Sequence, residues 1–144
     1  MCPMHKYQSL EAWKLAHRSV ILIHRVTDAT YHPKSRNVFD QMRRAAVSVE
    51  ANIVEGYALG TAPLYLRHLR IAFGSAAEAE CLARTANELA YIAADDAKRI
   101  EASLASLLKV LFGLLKTARR AARPSPFSPL PRKPSPSNTA QAGV

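Results

Sequence analysis

Ile100, Leu104, Leu107, Leu111, Leu114 and Ala118 recur at spacings of 4, 3, 4, 3 and 4 residues. At 3.6 residues per turn, these six side chains form one stripe along an α-helix. Leu108 and Leu115 flank the stripe, and Lys109, Lys116 and Arg120 occupy the opposite side. A helix patterned in this way must bury one face against other elements, so the chain needs partner helices. The apolar run Leu104–Leu115 is broken by Ser106, Lys109 and Gly113, and it is too short to cross a bilayer.

Three further segments supply those partners. The first helix is expected over about 9–29, with Ser9 as its N-cap, and Pro33 ends the break that follows. The second is expected over about 35–55 and stops at Gly56, a residue suited to a helix C-terminus. Thr61 caps the third, Pro63 is tolerated in its first turn, and it ends near Tyr91. Asp95 or Asp96 then caps the fourth, which ends near Ala122. At 144 residues with 49% apolar content and only 5 glycines, the chain fits one all-α domain with a real core. We read an antiparallel up-down four-helix bundle over 1–123. Beyond it lies a Pro/Ser-rich, disordered tail over 124–144.

The helix faces carry more than core. In the second helix Val38, Met42, Ala45, Val49 and Ile53 form the apolar stripe, with Phe39 and Ala46 beside it. Gln41, Ser48, Asn52 and Glu55 share one polar edge of that stripe. Asn52, Glu55 and Glu78 are expected to join Ser48 or Ser75 in a half-buried hydrogen-bond network that sets helix register. The third helix has an alanine face, Ala72, Ala76, Ala79, Ala83, Ala86 and Ala90. Gly74 and Ser75 in its middle predict close approach by a neighbouring helix, which offsets the ~1 kcal/mol that a mid-helix glycine costs. The first helix is apolar over most of its circumference. Trp13, Val20 and Ile23 lie on one side and Leu15, Leu22 and Val26 on another. Lys14, Arg18, Arg25 and Asp28 occupy a narrow polar strip, with His17 and His24 beside it. So wide an apolar arc predicts a second contact surface and hence oligomerisation, with Leu15, Leu22, Val26, Leu66 and Phe73 as interface candidates. The alternative is that the tail or a loop covers Leu15 and Leu22.

A net charge of +9 points to an anionic partner, nucleic acid ahead of a membrane surface. The candidate contacts are Arg43, Arg44, Arg67, Arg70, Lys109, Lys116, Arg119, Arg120 and Arg123. With little aromatic interleaving, they predict contact with backbone phosphates and weak sequence preference. No phosphate-binding glycine loop or nucleophile elbow is present, so no catalytic residue is expected. His24 and Asp28 share a helix face but have no third ligand, so neither a metal nor any other cofactor is expected. Cys2 and Cys81 have no metal-like or redox-like spacing, and no signal peptide is read at the start. A reducing cytoplasm is the expected setting.

The run Met42–Arg43–Arg44–Ala45–Ala46–Val47–Ser48–Val49 is followed by Asn52–Ile53–Val54–Glu55–Gly56–Tyr57. Together these resemble the ribosomal RNA intervening-sequence proteins, also called the four-helix bundle protein family. Leu10–Glu11–Ala12–Trp13 and the stretch Ile71–Ala72–Phe73–Gly74–Ser75–Ala76–Ala77–Glu78–Ala79–Glu80 extend the likeness. The resemblance implies an up-down bundle that assembles into a homopentameric ring. It also implies kinship with the accessory variability proteins of diversity-generating retroelements, basic pentamers that bind nucleic acid and a reverse transcriptase. Glu50 and Ala51 stand where the family has proline and serine, and Ala58–Leu59–Gly60 removes a basic residue from the following loop. The expected function is therefore that of a non-catalytic, oligomeric binding module for nucleic acid or a ribonucleoprotein. The alternative is a protein-interaction scaffold that binds another protein and no nucleic acid.

Overall fold

The computed structural model describes residues 3–123. A short 3-10 segment, Pro3–Ser9, leads into four helices: α1 (Glu11–Ala29), α2 (Arg36–Leu59), α3 (Ala62–Glu88) and α4 (Ala94–Ala121). No strand occurs among the described residues. Each helix packs on the next and α4 closes back on α1. The N-terminus of α1, the C-terminus of α2 and the N-terminus of α3 meet around one shallow cavity. The C-terminus of α4 meets the start of α3 at the same end. This is an antiparallel up-down bundle. The tail expected over 124–144 lies outside the described residues, as does Cys2.

The core is the sum of four heptad-like stripes. Phe39, Met42, Val49 and Ile53 from α2 meet Leu69 and the alanine face of α3. Ile100, Leu104, Leu107 and Leu111 come from α4, and Ala12, Ala16 and Ile23 from α1. Full burial of each large aliphatic chain contributes about 1.5–3 kcal/mol. The α4 stripe continues through Leu115, with Leu114 at its margin, the reverse of the expected assignment of these two leucines. On α1 the buried line is Ala12, Ala16, Ser19, Ile23 and Val26, with Thr27 beside it. Ser19 is tolerated there because its hydroxyl bonds the Leu15 carbonyl oxygen (2.9 Å) and pairs with Ser103 Oγ of α4 (2.7 Å).

Several helix ends differ from expectation, each for a local reason. Ser9 does not cap α1: its hydroxyl donates to the Lys6 carbonyl inside the 3-10 turn, and Leu10 takes the cap position. α2 runs on past Gly56 to Leu59, and the left-handed residue that stops it is Gly60 (φ 69°). Gly56 is instead buried where α3 crosses closely, and a Cβ there would lie 2.9 Å from His68 Cβ. Thr61 does occupy the N-cap of α3, but its side chain makes no capping bond. α3 ends at Glu88, before Tyr91, because Ala90 turns left-handed (φ 55°) and the Tyr91 amide bonds back to the Ala86 carbonyl (2.8 Å). Ala93 caps α4, so Asp95 and Asp96 lie in its first turn, where their charge favours the helix dipole. Gly74 faces open space, so it permits no close approach within this chain.

Candidate functional site

The candidate basic residues sort into distinct places. A groove of about 500 Å³ between α3 and α4 is lined by Leu66, Arg70, Lys116, Arg119, Arg120, Ala122 and Arg123. Five of the nine candidates therefore come together there, although their spacing in sequence spans two helices. Two features of the chain create this concentration. The last two turns of α4 carry the cations on its outer surface because the buried line Leu111, Leu115 and Ala118 takes the inner one. The antiparallel turn then sets Arg70 of α3 beside them. No acidic residue follows Glu101 in the chain, and none lines the groove. Among the described residues none of these five cations has a carboxylate partner within ion-pair distance. Five like charges on adjacent turns repel one another, and an added polyanion relieves that repulsion. The C-terminal end of the α4 dipole tempers it in the free protein.

The remaining candidates lie elsewhere. Lys109 and Arg67 are exposed but do not line the groove. Arg44 is exposed on α2 beside His24 and Val47, on the α1/α2 seam. Arg43 is committed to the fold: its Nε donates to Thr27 Oγ1 (2.7 Å), and its terminal nitrogen donates to Asp28. Its side chain is only 23% exposed, so it is a clamp between α1 and α2 rather than an available cation.

A second concavity of about 600 Å³ runs between α1 and α4. Arg18, Arg25 and Arg99 line it together with Ile21, Leu22 and Val26, and Asp96 holds Arg99 through a 3.2 Å bond. Arg18 and Arg25 are visible in the sequence as a polar strip seven residues apart. Arg99 joins them only through the packing of α4 on α1.

The interface candidates differ in how much surface the bundle leaves them. Val26 is only 6% exposed and belongs to the core, so it offers little surface to an outward contact. Leu15, Leu22, Leu66 and Phe73 are partly buried and pack against that core as its margin. The apolar side chains that remain outside include Ile21, Val47, Ile71 and Phe112.

Polar residues line the α2/α3 seam. Ser48 Oγ and Ser75 Oγ are 2.9 Å apart, and Asn52 Nδ2 donates to the Ser48 carbonyl (2.8 Å). Asn52 Oδ1 can then only accept, so His68, whose Nδ1 lies 2.9 Å away, carries its proton on that nitrogen. Glu55 stands 3.6 Å from the same nitrogen. Glu78 accepts from Gln41 Nε2 (2.6 Å), further along the seam. His68 was not among the sequence candidates, yet it ties Asn52 to Glu55. Its spacing of seven from Ser75 puts both on one helix face, a signal that was available. Next to this seam, burial raises the Tyr65 phenol above its ordinary pKa.

His17 pairs with Glu50 (2.8 Å) under the stacked ring of Trp13, and His24 bonds the Val20 carbonyl. With Asp28 joined to Arg43, the His24–Asp28 pair is engaged on both sides by other groups.

A sequence profile described as 23S rRNA-intervening sequence protein matches residues 8–113. No curated protein matches the chain.

Proposed function

The chain belongs to the 23S rRNA-intervening sequence protein family, and from that premise we propose that it is a non-catalytic binding module for nucleic acid or a ribonucleoprotein. The observation that carries this reading is the α3/α4 groove, with Arg70, Lys116, Arg119, Arg120 and Arg123 unopposed by any lining carboxylate. Guanidinium and ammonium groups at this density suit phosphate oxygens, and the release of condensed counterions drives such association. The family description, with its reference to 23S rRNA, supports RNA as the first ligand to try.

The reading includes a homo-oligomeric ring, a pentamer by family resemblance, whose symmetry repeats each groove and raises affinity for a long polyanion. Exposed Ile21, Val47 and Ile71 support a contact between copies. It also includes a cytoplasmic setting, supported by the exposed free thiol of Cys81. Among the described residues no helix is long and apolar enough to cross a membrane.

The test is a fluorescence-anisotropy titration against labelled RNA and DNA at about 50 mM and about 200 mM salt. Binding is expected at the lower concentration and should weaken steeply at the higher one. The Lys116→Ala/Arg119→Ala/Arg120→Ala variant should bind more weakly, its log–log salt slope shallower by about one per lost phosphate contact. Undetectable binding of both polymers at the lower salt overturns the proposal.

One observation favours a second reading, a scaffold for another protein. The α1/α4 concavity combines Arg18, Arg25 and Arg99 with apolar lining that includes Ile21, 40% exposed, a surface suited to an acidic amphipathic segment.

A further inference from the structure

Lys109, Phe112, Lys116 and Arg119 follow one another on α4 at spacings of 3, 4 and 3 residues, and Arg123 comes four residues later, just past the helix end. They form one continuous outer stripe, and every member is exposed. The aromatic residue in it is unusual for its setting. Phe112 is 54% exposed, the largest exposure among the large apolar side chains of this helix. It is neither core nor isolated. Phe73 of α3 leans on it, with ring centroids 6.5 Å apart, and Lys116 Nζ sits 5.7 Å from its own centroid. The ring is thus held from the α3 side, flanked by ammonium groups one turn on either side, and about half exposed to solvent.

We propose that this stripe binds single-stranded nucleic acid, with Phe112 as the platform on which one base stacks and Lys109, Lys116, Arg119 and Arg123 as the flanking phosphate contacts. The inference rests on the nucleic-acid reading above and adds a strand preference to it. A duplex buries its base faces in its own stack and offers a rigid row of phosphates. It would use the cations and leave the ring idle. A single strand offers both the charge and an open π-face, and base–aromatic stacking tolerates any sequence. The helical part of the stripe, from Lys109 to Arg119, is about 15 Å long at 1.5 Å per residue, and Arg123 extends it just past the helix end. That length suits the short end of the ~4–16 nucleotide range covered by single-strand sites. The Lys116 ammonium that now rests over the ring is also the group best placed to take the phosphate of the stacked nucleotide.

The experiment compares the full chain and its Phe112→Ala, Phe112→Trp and Lys116→Ala variants. The probes are a labelled oligouridine of about 12 nucleotides and a blunt RNA duplex of the same length. The unsubstituted protein should hold the single strand more tightly than the duplex. Phe112→Ala should weaken single-strand binding about tenfold, at an unchanged salt slope and with duplex affinity unmoved. Phe112→Trp should restore it. Lys116→Ala should weaken both probes and flatten both salt slopes. Mass measured by light scattering should be the same for Phe112→Ala as for the parent.

Equal or tighter duplex binding, or Phe112→Ala without effect on the single strand, overturns the strand preference while leaving the general reading standing. A change of assembly mass in Phe112→Ala assigns the ring to a contact between copies and overturns it too. Failure of both probes to bind at low salt removes the general reading along with it.

Discussion

Gly56 sits inside α2 with its Cα facing α3, where an added Cβ would come within 2.9 Å of His68 Cβ and 3.3 Å of a Tyr65 ring carbon. Neither neighbour is the free end of a flexible chain, so the two helices would have to separate. We expect Gly56→Ala to destabilise the protein by about 1–2 kcal/mol. Overpacking costs about 1–3 kcal/mol, and the better helix propensity of alanine returns up to about 1. A urea titration reads the change, and an unchanged midpoint would mean that α3 gives way freely. The same residue shows what one-dimensional reading misses. A glycine near the end of an apolar helical run looks like a stop signal, and Gly60 four positions later carries that role. What separates them is the identity of the residue across the seam, and sequence spacing along α2 holds no record of His68. Arg43 teaches a similar lesson. In the sequence it is one of two adjacent arginines, and only packing reveals that it is bound to Thr27 and Asp28 while Arg44 is exposed.

At the level of elements, periodicity located all four helices because each carries its apolar residues at heptad-like spacing. Their ends were less legible. The α3–α4 turn is made by Ala90 in a left-handed conformation, which alanine adopts only under tertiary constraint. The choice between Leu114 and Leu115 as core residue depends on how far α4 is rotated toward α3, a matter of tens of degrees that a stripe drawn on a wheel does not fix. The α3/α4 groove was half legible: its cations stood out, but Arg70 meets Lys116 only once antiparallel packing is known. Gly74 in the middle of α3 meets nothing within 4 Å, in contrast to Gly56. Here alanine should stabilise the helix, by roughly 0.5–1 kcal/mol. Differential scanning calorimetry of Gly74→Ala should therefore show a rise of a few degrees. A fall would place a close neighbour against that face and mark it as a contact between copies.

The whole molecule presents one chain of 15.8 kDa with apolar side chains left on several faces. If these are shared between copies, light scattering or native mass spectrometry should find an assembly near five times that mass. A single-chain mass at every concentration would overturn the ring. Charge is distributed as unevenly as apolar surface. The end where α1 finishes and α4 begins sets Asp28, Glu88, Asp95 and Asp96 against Arg25, Lys34, Arg36, Lys98 and Arg99, while the opposite end gathers Arg67, Arg70, Lys116, Arg119, Arg120 and Arg123 against Glu11 and Glu55. The bundle is consequently an electric dipole along its long axis. A dipole of this kind turns in the field of a polyanion before touching it, so encounters begin at the groove end more often than chance allows. Salt then acts on how fast and in what orientation the molecule arrives, as well as on how long its phosphate contacts hold.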